Sequence, residues 1–323
     1  MKLRIPKILM YLSSPVVLAV LLSAACGSRT NRAAANQEAQ TPQSQSRFSL
    51  PDIPAALSSS ESRAQYLALH YWDNYTFADT TLIHRPEITE QAFVDFIVIL
   101  PHTDYNTATE GIQTMLRAAE AEPTGRMYEH FLELSERYLD DPNSPFRNEE
   151  YYIPVTEYIL RDSRSGEFER IRPAYRLGMM RKNRIGVTAE DFAYTLRSGQ
   201  TERLFYIKAD FTLLYFYNPD CPNCREIAEA MKASPAINSL LESGRLAILA
   251  LYPDEDLDEW RQHAGEIPAS WINAYDKGAV IRETSLYDLR AIPSLYLLND
   301  RKIVMVKDGT LEQILITLQY QEL

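Results

Sequence analysis

Two of the chain's three cysteines stand three residues apart, in Cys221-Pro222-Asn223-Cys224. In the first turn of a helix that spacing puts both thiols on nearly the same face, where they can close a disulfide. Pro222 suits the position after Cys221, because the N–H groups of a first turn have no helical partner in any case. Those N–H groups and the helix dipole favour thiolate over thiol at Cys221. A partly ionised sulfur with a second sulfur in reach is what thiol–disulfide exchange requires. A structural disulfide is the bland reading of the same four residues. Half of a zinc site is another, but zinc needs two more ligands. The third cysteine is the distant Cys26, and the nearby histidine, His263, is read as unpaired. The pair is therefore read as a redox-active disulfide, with no metal and no other cofactor.

The elements that must hold the pair can be read on either side of it. Residues 211–217 form an apolar, aromatic run suited to a buried strand. Asn218, Pro219 and Asp220 break it, and a helical pattern follows the second cysteine through residue 232. Upstream, residues 192–196 and 204–207 around Ser198-Gly199 read as a β-hairpin. Downstream, residues 246–252 form a second buried-strand candidate and 257–263 a short helix. A strand over 291–298 is opened by Pro293. Residues 302–306 pair with it, and 310–321 close the chain as an amphipathic helix. This alternation predicts an α/β sheet covered on both faces.

From about residue 50 to 183 the pattern is helical instead, with five or six helices punctuated by Pro101, Pro123 and Pro145. Expected starts are a Ser58 cap with Glu61, a Thr89 cap, and a Ser144-Pro145 cap opening a helix toward Leu160. Pro173 sits inside the last helix, expected over 168–181. Aromatic residues are dense here, among them Tyr71, Trp72, Tyr75, Phe93, Phe96 and Phe131. A peptide-binding groove is one reading, and core packing is favoured over it. Four of the five histidines, His70, His84, His102 and His130, lie here without the i,i+4 pairing of a helical metal site.

The 323 residues leave room for two ordinary domains. A formal net charge of -11 argues against nucleic acid as a partner. Three cysteines are too few for a disulfide scaffold. Residues 1–26 read as a bacterial lipoprotein signal: Lys2, Arg4 and Lys7, an apolar stretch over 8–22, then Ser23-Ala24-Ala25 before Cys26. Cleavage there would leave Cys26 acylated and the chain anchored to a membrane in the cell envelope, facing the periplasm. Ser23 departs from the Leu usual at its position. An ordinary cleaved signal peptide and an uncleaved anchor are the competing readings. Residues 27–49 carry almost nothing to bury and read as a flexible linker.

Residues 184–323 resemble the thioredoxin-like superfamily in its membrane-tethered, redoxin and cytochrome-maturation style. Cys221-Pro222-Asn223-Cys224 after the strand, and Ile292-Pro293 before a late strand, carry that resemblance. Residues 50–183 are similar to a helical domain of uncharacterised function that precedes such modules in lipoproteins of Gram-negative bacteria. The resemblance implies an α/β thioredoxin-like C-terminal domain preceded by an all-α domain, and a cis peptide at Pro293 facing the cysteines. It implies Cys221 as nucleophile and Cys224 as resolving thiol, with protein thiols or disulfides and an electron donor as partners. Asp220 stands where Trp is usual, and a carboxylate beside Cys221 disfavours its thiolate. That leans the expectation toward a reductase. Tyr215 stands where many relatives carry a buried acid, so Asp220 and Glu226 are the candidates for proton transfer. A non-enzymatic, partner-binding lipoprotein on the same scaffold is the rival reading. A peroxidase ranks lower, since Asn218 occupies the place of its usual Thr or Ser.

Overall fold

The structure is a computed structural model that describes residues 47–161 and 166–321. Cys26 and the signal read over residues 1–26 lie outside the described residues, as does the linker up to residue 46. Among the described residues no helix is long and apolar enough to cross a membrane. The chain divides into two compact units, residues 1–158 and 159–323.

The first unit is helical: α1 (Ser60–His70), α2 (Thr89–Ile99), α3 (Tyr105–Glu120), α4 (Arg126–Ser135) and α5 (Glu149–Arg161). Its starts differ in detail from those expected. Ser59, not Ser58, caps α1 by accepting from the Ser62 N–H. Thr89 is the first residue of α2 rather than its cap, and its hydroxyl is drawn to the Leu82 carbonyl instead. Ser144 donates to the Tyr138 carbonyl, and α5 begins only at Glu149. For Thr89 and Ser144 a carbonyl elsewhere claims the hydroxyl. The aromatic residues form a core. Trp72 meets Tyr75 and Phe131 edge-on at ring separations of 5.4 and 5.2 Å. Phe48, from the segment read as linker, stacks on Tyr71 at 4.9 Å. α1 and α3 approach closely at Gly111, where a Cβ would lie 2.4 Å from the Ala68 carbonyl oxygen.

The second unit opens with α6 (Glu167–Arg181) and then forms a seven-stranded sheet. Arg176 of α6 donates to Asp288 at 2.9 Å, with both side chains nearly sealed from solvent. Contacts of this kind place α6 with the second unit, whereas the sequence pattern grouped it with the helices before it. The strands are β1 (Ala193–Leu196), β2 (Thr201–Arg203), β3 (Phe211–Phe216), β4 (Leu246–Tyr252), β5 (Ile272–Tyr275), β6 (Ser294–Asn299) and β7 (Val304–Val306). Their order is β2-β1-β5-β4-β3-β6-β7. β3 is an interior strand, parallel to β4 and antiparallel to β6, and every residue in it is buried. Burial on both faces explains its unbroken apolar run. Alternation sends Leu213 and Tyr215 to one face and Leu214 and Phe216 to the other.

The hairpin differs from expectation in its second arm. Thr201–Arg203 forms β2, while Leu204–Tyr206 is a 3-10 turn that buries Leu204. β5 was not anticipated. Its sequence, Ile-Asn-Ala-Tyr, gains order from pairing with β4 on one side and β1 on the other. The remaining helices are α7 (Pro222–Ala233), α8 (Pro235–Glu242), α9 (Leu257–His263), the short α10 (Val280–Glu283) and α11 (Leu311–Tyr320).

Candidate functional site

The site forms where β3 ends and α7 begins. Tyr217 continues the β3–β4 ladder by donating to the Leu251 carbonyl, and the chain then turns. Asn218 makes that turn. Its side-chain oxygen accepts from the Asp220 N–H at 2.9 Å, and its carbonyl accepts from the Cys221 N–H at 3.1 Å. Its amide reaches Asp254 at 3.0 Å, tying the turn to the segment after β4. Cys221 is consequently the extended N-cap of α7, with Pro222 as first helical residue.

The Cys224 N–H donates to the Cys221 sulfur at 3.2 Å. The carbonyl of Ile292 lies on the other side of that sulfur at 3.6 Å, and the Ile292–Pro293 peptide is cis. Cys221 thus sits half-buried between a backbone donor and a backbone acceptor. Cys224 lies beneath it, 1% exposed, and both cysteines are free thiols. Burial pushes the Cys224 thiol far up, and its hydrogen bond with Cys221 adds to the effect. An accessible sulfur above a sealed one is the arrangement that sequential thiol exchange uses.

Among the residues read from sequence, the structure brings together Cys221, Cys224, Pro222, Ile292 and Pro293. Asp220 is exposed, with a carboxylate oxygen within 4.8 Å of ligand atoms of Glu259 and His263 on α9, and Glu226 is exposed on α7. Tyr215, in the place of a buried acid, donates its hydroxyl to the Cys224 carbonyl at 2.6 Å. Burial raises its hydroxyl far above the ordinary tyrosine range, with the nearby Cys224 contributing.

Beside Cys224 a cavity of about 340 Å³ opens between α7 and the end of α9, lined by Tyr217, Asn218, Lys232, His263 and Glu266 among others. Here the expectation of an unpartnered His263 is corrected. Nδ1 of His263 lies 2.8 Å from Glu266 and Nε2 lies 2.9 Å from Glu259. The hydrogen bond to Glu266 leads in holding the imidazole above its usual value, and Glu259 and Asp220 add to it. Asn273 supports the far wall, accepting from Tyr217 at 3.1 Å and from Trp260 at 3.2 Å. Sequence reading set His263 aside and missed Glu259, Glu266 and Asn273. The i,i+4 spacing of Glu259 and His263 on α9 was the available signal for that pair.

Residues 25–183 match the model of a domain of unknown function, DUF5106. The chain is similar to a thioredoxin-like protein from Bacteroides caccae: 46% identity, 84% of this chain and 98% of that one, TM-score 0.80. It is similar to the C-terminal domain of an uncharacterized protein from Bacteroides fragilis, at 47% identity over 42% of this chain and 98% of that one, TM-score 0.42. It also aligns with the thioredoxin domain of a thiol-disulfide oxidoreductase from Bacteroides vulgatus, at 16% identity over 43% of this chain and 97% of that one, TM-score 0.38. No curated protein matches the chain.

Proposed function

The chain belongs to the thioredoxin-like proteins, and from that premise we propose that it is a thiol–disulfide oxidoreductase that reduces protein disulfides through Cys221 and Cys224. The observation that carries the reading is the stacked thiol pair: a reachable Cys221 that accepts the Cys224 N–H at 3.2 Å, above a Cys224 that is 1% exposed. Cys221 attacks a substrate disulfide, its sulfur bonds to one substrate sulfur, and the other leaves as a thiolate that takes up a proton. Cys224 gives up its proton and attacks Cys221. The Cys221–Cys224 bond forms, the mixed disulfide breaks, and the substrate leaves as a dithiol. The pair is then oxidised and needs two electrons from a dithiol donor. The Ile292 carbonyl beside the sulfur offers a backbone acceptor for an extended substrate chain. The N-terminal sequence supports export and lipid attachment at Cys26, which would hold this chemistry at the membrane of the cell envelope.

The test is reduction of a disulfide-bonded protein substrate with dithiothreitol as donor. The native chain is expected to accelerate it, and Cys221→Ser to remove the acceleration. Equal rates with native and Cys221→Ser protein would sink the proposal.

A further inference from the structure

The residue before the thiol pair meets two side chains of α9. Asp220 comes from the turn before α7, and Glu259 and His263 from α9. One ligand atom from each lies within 4.8 Å of the others. From these we infer a divalent-cation site of the zinc class, held by Asp220, Glu259 and His263.

Three observations carry it. Glu259 and His263 are four residues apart on one helix, so both side chains project from the same face. Glu266 fixes the ring. Its carboxylate can only accept, so Nδ1 carries a proton, and in the neutral ring Nε2 is the nitrogen left with a lone pair. A carboxylate holding the far nitrogen of a ligating histidine is the usual support in zinc sites. Finally, Oε1 of Glu259 is sealed from solvent and has no hydrogen-bond partner, although Nε2 lies 2.9 Å away. A proton on Nε2 would not point along that line. An acceptor and a lone pair side by side, neither aimed at the other, leave a place for a third, positive particle.

The charges agree. Asp220, Glu259 and Glu266 surround one imidazole, and the nearest ammonium, Lys232, is engaged by the Glu229 carboxylate and the Glu266 carbonyl at 2.9 Å each. Arg225, which also lines the cavity, donates to the Pro219 carbonyl, so one imidazole and one guanidinium stand beside three carboxylates. Zinc bonds of about 2.0–2.2 Å in tetrahedral array put ligand atoms roughly 3.3–3.6 Å apart. Nε2 and Oε1, 2.9 Å apart, would separate by about 0.4–0.7 Å to admit the ion, and the exposed Asp220 can close the remainder by turning its side chain. One imidazole with two carboxylates suits zinc better than magnesium or calcium, which take oxygen alone. The fourth position stays open to water. An ion there would tie the residue preceding Cys221 to α9 and cancel carboxylate charge next to the nucleophile.

Reduced cysteines bind zinc themselves, so the test uses the full chain with Cys26, Cys221 and Cys224 all replaced by serine. It therefore reads the site independently of any redox activity. Calorimetric titration with zinc chloride is expected to give one site per chain. His263→Gln and Glu259→Gln each should weaken it about 100-fold or more, and Glu266→Gln about 10- to 100-fold. Glu226→Gln, on the exposed face of α7, should leave it unchanged. Circular dichroism checks each variant's fold; were His263→Gln to unfold, Asp220→Asn and Glu266→Gln carry the comparison. No binding in the thiol-free chain, binding indifferent to His263, Glu259, Glu266 and Asp220, or displacement of zinc by magnesium or calcium would each overturn the inference.

Discussion

Replacing Tyr215 by Phe separates two roles that its position permits. Its hydroxyl touches the helix turn that carries Cys224, so it could relay the Cys224 proton or merely hold that turn in place. The structure favours holding. The hydroxyl donates to the Cys224 carbonyl at 2.6 Å, not to its sulfur, and burial keeps the phenol protonated far above the ordinary tyrosine range. Tyr215→Phe keeps the ring, which stacks on Tyr217 at 5.2 Å and meets Trp271 edge-on at 6.2 Å. The loss is then one neutral hydrogen bond, worth about 1 kcal/mol net. For a unit the size of residues 159–323 this lowers Tm by about 2–4 °C. In urea the midpoint should fall with m unchanged, because the exposed surface is the same. The rate of disulfide reduction between pH 6 and 9 should keep its profile and change less than about threefold, against the roughly 10²- to 10⁴-fold of a lost general acid or base. A hundredfold rate loss at unchanged stability would refute the reasoning and make Tyr215 a proton carrier.

Three further outcomes are expected. Cys224→Ala should accumulate a mixed disulfide with substrate that gel electrophoresis without reductant resolves, while Cys221→Ser should trap none; equal trapping by both would reverse the assigned roles. The Cys224 thiol is raised by burial, so its contribution to stability is complete below the unfolded cysteine pKa of about 8.5 and declines as pH climbs toward its higher folded value. Reduced native protein should therefore lose up to about 1.4 kcal/mol per pH unit more than Cys224→Ala above that point, measured as urea midpoints from pH 8 to 10. Gly111→Ala drives a Cβ to 2.4 Å from the Ala68 carbonyl oxygen, and the forced separation of α1 and α3 should cost about 1–3 kcal/mol in the helical unit's thermal unfolding.

The sequence by itself determined whatever depends on neighbours along the chain. The unbroken apolar run of β3, the breaking turn at Asn218 and Pro219, and a proline after Cys221 were enough to place two thiols at a helix start. The pairing of that start with Ile292-Pro293 followed from resemblance, and the structure sets the Ile292 carbonyl 3.6 Å from the Cys221 sulfur. The helical character of residues 50–161 was equally legible, although its caps were not. Ser and Thr signal a helix start only until a carbonyl elsewhere claims the hydroxyl, as Leu82 claims Thr89 and Tyr138 claims Ser144. Tertiary structure alone decided what depends on distant segments meeting. β5 is too short and too polar to declare itself, and two flanking strands give it order. The Arg176–Asp288 pair fixes α6 to the second unit across 112 residues of sequence. Asp220 meets His263 because the turn after β3 and the helix after β4 project from the same end of two parallel, paired strands. Spacing along a chain cannot express that adjacency, because the sheet creates it.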